Sequence, residues 1–400
     1  MLLTVSKRLE FSASRRLFLP RWSDDENIAA FGEESRAKNG TGRNYVVFFV
    51  FSGHVDPVTG MLINISEIKR RAGEVVDDRF DHRFLNVDNP AFRDTVPTAE
   101  NIARQLFADV APLFRDVEAK LVAVHLIETP DRSATFYADG VCDANYWFEF
   151  SAARQTMSPL LTAAENTQLF GAATATHGHN YRARFSVRKE KSEAPIARQR
   201  DVDLCIEALR EEFDHRFLNE VPSLKDRPIT TESLAAYIHE RVAATLPVHR
   251  VRLHERDDLF AEVWPEGNIF LGLQTPFSAA HRLHVPSFSD KQNTELFGKC
   301  DNPRGHGHLY LAEATIGGNY DKRSGTLYNL VAFQGALRES VEPWKDRHLD
   351  LETEDFRKIS STGENIVRAL WPKIDSRVNQ QLSRLRLWET NNNRFTLRRT

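Results

Sequence analysis

Six landmarks recur in the same order three times along this 400-residue chain, and that repetition restricts the fold more than any other feature. Phe11-Ser12-Ala13-Ser14-Arg15 returns as Phe150-Ser151-Ala152-Ala153-Arg154 and as Phe277-Ser278-Ala279-Ala280-His281. A Phe-Gly pair follows each at an interval of 20 residues, at Phe31, Phe170 and Phe297. Next come Thr41-Gly42-Arg43, His177-Gly178-His179 and His306-Gly307-His308. Asp81-His82-Arg83-Phe84-Leu85-Asn86 is repeated letter for letter at Asp214 to Asn219, whereas the third copy reads Lys345-Asp346-Arg347-His348. Thr98-Ala99-Glu100, Thr230-Thr231-Glu232 and Thr362-Gly363-Glu364 keep step, and each copy closes on a run ending in Glu128, Glu255 or Glu389. The expected units are 1–140, 141–270 and 271–400.

Each unit reads as strand, strand, helix, helix, strand, strand, which is an α+β pattern. Ile102, Leu106, Val110 and Leu113 fall at helical spacing, as do Ile366, Leu370 and Ile374. Ser361-x-x-Glu364 before the latter reads as a capping box. The late strands alternate, as in Leu385, Leu387, Glu389. The loops near 20–40, 156–176 and 284–305 are long for hairpins, and long loops without structure of their own tend to be functional or disordered. A four-stranded antiparallel sheet with helices on one face leaves two open edges, which a protein must cover.

The third unit concentrates the chemistry. His306 and His308 open an alternating run through Tyr310, Ala312 and Ala314, so both imidazoles share one strand face. His281 lies on the same face as Phe277 and Ala279 in another strand. Three imidazoles are a zinc ligand set; a polar turn, or a core histidine bonded to backbone, is the plainer alternative. Cys300 lies in the loop between them.

FSAAHRL, then FGKC, then GHGH, resembles the 6-pyruvoyl-tetrahydropterin synthases and their relatives, the 6-carboxytetrahydropterin synthases. The resemblance covers nearly the whole chain. It implies the tunnelling fold, in which three units join edge to edge into a barrel, here a pseudo-trimer within one chain. It implies Zn2+ on His281, His306 and His308, and Cys300 as the base. An Asp-His dyad, Asp81-His82 or Asp214-His215, would be lent by another unit, since unit three has lost its own. Glu389, with Thr362 and Glu364, would cradle the pterin ring. The implied substrate is 7,8-dihydroneopterin triphosphate, with triphosphate eliminated. The Cys300-to-His306 spacing favours the pyruvoyl over the carboxy product, and the pathway, biopterin or queuosine, stays open. Units one and two are degenerate: Arg15 and Arg154 replace the first histidine, Thr41 and Arg43 replace the pair in unit one, and Ala173 replaces the cysteine in unit two. A non-catalytic pterin- or purine-binding scaffold is therefore the rival reading.

Net charge of −3 argues against a nucleic-acid surface. Three cysteines without a CxxC suit a reducing compartment. No window is apolar enough for a membrane span or a signal peptide, so the expectation is cytoplasmic. Two such pseudo-trimers stacked as a homodimer are a further expectation from the family.

Overall fold

The computed structural model describes residues 1–189 and 195–400. Its long strands follow from the alternation: in Thr41–Ser52, Tyr45, Val47, Phe49 and Phe51 are fully buried on one face. Unit one contributes Leu2–Arg15, Thr41–Ser52, Lys120–Thr129 and Arg132–Tyr137. Unit two contributes Cys142–Arg154, His177–Lys189, Val248–Arg256 and Leu259–Val263. Unit three contributes Ile269–His281, His306–Gly317, Leu382–Thr390 and Asn393–Arg398. Within each unit neighbours pair antiparallel. Between units the edges meet: Ser133 faces Asn145, Leu259 faces Leu273, and Leu2 faces Arg398. The twelve strands thereby close into a barrel with no free edge.

Two longer helices per unit cover the outside. Ile65–Arg79 buries Ile68, Ala72 and Val76, and Ala99–Val110 buries Ile102, Ala103, Leu106 and Val110. Each isoleucine, leucine or valine among them stabilises by about 1.5–3 kcal/mol on burial. Leu113 does not continue that stripe; it lies exposed in a 3-10 turn whose buried residue is Phe114. The matching helices are Gln199–Phe213 and Thr231–Ala243, then Leu330–Val341 and Gly363–Asp375. The last is capped by Thr362, which accepts from Asn365 N–H, not by Ser361. The opposite strand face is polar: Arg384 grips buried Glu262 at 3.0 and 3.1 Å, and Arg386 meets Glu313 at 2.8 Å. Among the described residues no helix is long and apolar enough to cross a membrane.

The three long loops are not structureless. Each carries a helix, Asp24–Phe31, Ala163–Phe170 or Asp290–Phe297, followed by a 3-10 turn. Capping boxes at Ser23-Glu26, Thr162-Glu165 and Ser289-Gln292 start them. A buried asparagine then ties each helix to the incoming chain: Asn27 accepts from Leu19 N–H, Asn166 from Ser158 and Asn293 from Val285, each at 2.8 Å.

Candidate active site

His281 ends its strand directly opposite His306, and His308 lies two residues further along the same face. The three ring nitrogens that face one another lie within 4.8 Å. His281 is fully buried and its Nδ1–H donates to the Ser361 carbonyl at 2.9 Å, which fixes the tautomer and leaves Nε2 a bare lone pair. That Nε2 lies 3.1 Å from His306 Nε2. His306 Nδ1 and His308 Nε2 are buried without a hydrogen-bond partner. Burial and the neighbouring imidazoles hold His306 down to about 4, so a proton is a poor bridge near neutrality. Three imidazoles converging on one point fit a tetrahedral zinc site with an open fourth position. Glu389 Oε1 stands 3.7 Å from His281 Nε2 and 3.9 Å from His308 Nε2. Ser361 is itself fixed, its hydroxyl donating to Asp350 at 2.9 Å.

Cys300 sits in the 3-10 turn after the capped helix, half-buried, its carbonyl accepting from Leu283 N–H at 2.9 Å. Burial, and then the Glu389 carboxylate, push its thiol up from the ordinary range. Unit one walls the other side of the pocket. Glu364, fully buried, accepts Leu62 N–H at 2.9 Å, and burial pushes its carboxyl up to about 7. Thr362 donates to the Gly60 carbonyl at 2.6 Å. Gly60 has φ +73°, and a Cβ there would lie 2.5 Å from Asn365 Nδ2, so glycine is required.

The two Asp-His dyads are alike and belong to their own units. Asp81 accepts Ser12 N–H and Asp214 accepts Ser151 N–H, each at 2.8 Å, which holds both carboxyls below their usual range. His82 and His215 stand in the left-handed region at φ 54° and 57°, pair with their aspartates at 2.7 and 3.0 Å, and are 83% exposed. Asp346, at φ 58° with its N–H on Ser278, takes their backbone place in unit three, with Lys345 before it. Among the described residues no hydrogen bond or ion pair joins Cys300 to Asp81, His82, Asp214 or His215.

In the other units a guanidinium fills the place of the first imidazole. Arg154 donates to Glu255 at 2.5 Å, and His179 lies 3.2 Å from the same carboxylate. In unit one Arg15 binds Glu128, and Glu34 pairs with both Arg15 and Arg43. Glu34 stands at the cysteine position, two residues after Gly32 as Cys300 follows Gly298. It was not singled out by sequence reasoning, although that constant offset would have found it. The neighbour-unit residues Gly60, Leu62 and Leu327, the last donating its N–H to Glu232 of unit two at 3.2 Å, also escaped, because nothing in a sequence shows which unit lies beside which pocket.

A family model described as 6-pyruvoyl tetrahydropterin synthase matches residues 4–139, 145–266 and 271–400. The 6-pyruvoyl tetrahydrobiopterin synthase of Drosophila melanogaster is 41% identical over 106 residues, 26% of this chain and 63% of that protein. The Homo sapiens protein of the same name is 35% identical over 119 residues, 29% of this chain and 82% of that protein. A solved Caenorhabditis elegans 6-pyruvoyl tetrahydropterin synthase shares 34% identity, covers 33% of this chain and 95% of that one, and has a TM-score of 0.32. Matched in succession along nearly its entire length, this chain belongs to the 6-pyruvoyl tetrahydropterin synthase family and carries three copies of the family unit.

Proposed function

We propose that the pocket between units three and one converts 7,8-dihydroneopterin triphosphate to 6-pyruvoyl-tetrahydropterin with loss of triphosphate. The convergence of His281, His306 and His308 beside Cys300 and two carboxylates, buried Glu364 and half-buried Glu389, carries this reading. A zinc ion held by the three imidazoles supplies Lewis acidity at the side-chain hydroxyls and a positive charge that favours the Cys300 thiolate.

Glu364 and Glu389 bind the N–H groups on the pyrimidine edge of the pterin, and Thr362 shapes the turn that carries Glu364. Cys300 takes the proton from the side-chain carbon next to the ring. The first hydroxyl becomes a ketone as the ring C=N bond is reduced, so the electrons balance within the molecule. The second hydroxyl becomes a ketone as the C–O bond to triphosphate breaks and the terminal carbon gains a proton. We assign the Asp-His dyads, exposed and tied to their own units, the role of assisting the Cys300 of another copy of the chain stacked on the barrel end. Cleavage of the side chain to the 6-carboxy product is the near alternative, decided by product analysis.

Cys300→Ala should lower triphosphate release by roughly 10²–10⁴-fold while zinc content stays at about one per chain. Unchanged release would remove Cys300 as the base. Mixing Cys300→Ala chains with chains lacking both dyads should restore activity if the dyads act between copies.

A further inference from the structure

Units one and two both carry arginine for the first histidine, yet their pockets differ. In unit one the guanidinium is fully used: Nε and Nη2 of Arg15 go to Glu128, and Nη1 goes to Glu34 at 3.0 Å and Thr41 at 3.1 Å. The cavity alongside is about 40 Å³, too small for anything beyond water. In unit two Ala173 stands where unit one has Glu34, and among the described residues no second carboxylate pairs with the arginine. Arg154 is 3% exposed; Nη2 reaches Glu255, but among the described residues Nε and Nη1 have no hydrogen-bond partner. Thr156 Oγ1, on a residue 7% exposed, has none either. Buried donors left unmatched are costly, and sites that keep them keep them for a ligand or water.

These groups line a cavity of about 760 Å³ at the junction of units two and three, a volume typical of small-molecule sites. Phe170, Leu271, Tyr328 and Leu330 give it apolar walls suited to a flat ring. Glu232, 5% exposed, spends one oxygen on Leu327 N–H at 3.2 Å and also lines the cavity. A buried carboxylate in such a slot reads N–H groups, and the guanidinium and imidazoles read oxygens. The ring nitrogens of His177 and His179 approach Glu255 closely enough to suggest a metal, but Glu255 already pairs with Arg154, whose positive charge repels a divalent cation.

We propose that the pocket between units two and three is a metal-independent site for a second small molecule, an aminopyrimidinone ring with an oxygen-bearing substituent. Its N–H edge meets Glu232, and its oxygens meet Arg154, Thr156 and His177. Pterin and guanine share that edge. The site goes beyond the proposed catalysis and does not require it.

The test is titration calorimetry of the full-length, zinc-loaded chain with neopterin and, separately, guanosine. Glu364→Gln removes the ring anchor of unit three. In that background about one equivalent of one probe should still bind, unaffected by EDTA. Adding Glu232→Gln, or Val331→Trp on the exposed rim (Val331 is 76% exposed, so folding is spared), should weaken it at least tenfold. Triphosphate release by the single Val331→Trp chain should be unchanged. The better probe identifies the ring. No binding of either probe in the Glu364→Gln chain, or binding indifferent to both added substitutions, overturns the proposal. If the wild-type chain binds one equivalent that Glu364→Gln abolishes, the unit-three reading stands and this one falls. If Glu232→Gln abolishes it instead, the reverse holds.

Discussion

The pockets of units two and three are built on the same strands, the same capped loop helix and the same strand-end glutamate, and differ in what stands opposite the His-Gly-His pair. In unit three it is His281, whose Nδ1–H is fixed by the Ser361 carbonyl. In unit two it is Arg154, a permanent cation that neutralises Glu255 and holds its carboxyl down to about 2. One side chain thus decides whether the pocket carries a third imidazole, as the proposed zinc site requires, or a positive charge built into the chain. The paired histidines are common to both pockets, so they do not by themselves distinguish the three-imidazole cluster from the pocket that holds a guanidinium.

His281→Arg breaks the comparison most severely. It should empty the unit-three metal site and lower triphosphate release by roughly a thousandfold, the equivalent of several kcal/mol of lost charge stabilisation. Elemental analysis should fall from about one zinc per chain to none, with the circular dichroism of the barrel retained. Residual zinc near one would mean that unit two holds the metal, and the roles assigned to the two pockets would be exchanged. The converse substitution is gentler. Arg154→His places a third imidazole beside His177 and His179, and zinc should rise to about two per chain. A wild-type chain that already carries two would refute the exclusion of metal by Arg154.

Much of this contrast was legible before any coordinates. Three-fold repetition and period-two alternation led to the barrel, and the i, i+2 spacing of His306 and His308 with the parity of His281 led to the cluster. The replacements Arg15 and Arg154 were visible too, but their effect was not, because a sequence shows a lost ligand and not the cation that takes its place. The helices inside the long loops were missed although their capping boxes are in the sequence; eight-residue helices leave too short a pattern for periodicity. The dyads show another limit. Asp81-His82 and Asp214-His215 are expected to serve Cys300 from another unit, and what the structure adds is only how each is held, by Ser12 or Ser151 of its own strand with its imidazole exposed. What an exposed dyad meets is a matter of surface, which repetition within one chain does not reveal.

The smallest effect separates a binding role for Glu232 from a structural one. Burial pushes its carboxyl up to about 7 from an ordinary value near 4.5. The folded chain therefore holds this proton more tightly than the unfolded chain does. Stability is full below about pH 4.5 and is lost as pH climbs through 7, the opposite of a salt-bridged carboxylate. Glutamine imitates the protonated acid at every pH and can still accept Leu327 N–H. Glu232→Gln should match the wild type at pH 4.5 and be more stable at pH 8, by roughly 3 kcal/mol, because each tenfold difference in proton affinity between folded and unfolded chain is worth about 1.36 kcal/mol. Paired thermal melts at the two pH values read the gap directly. If the variant is the less stable at pH 8, Glu232 is a carboxylate that the fold needs, and weaker ligand binding in the same variant loses its meaning. If the gap opens as expected, Glu232 costs the empty protein stability near neutrality, and a ligand that donates N–H groups to it removes that cost.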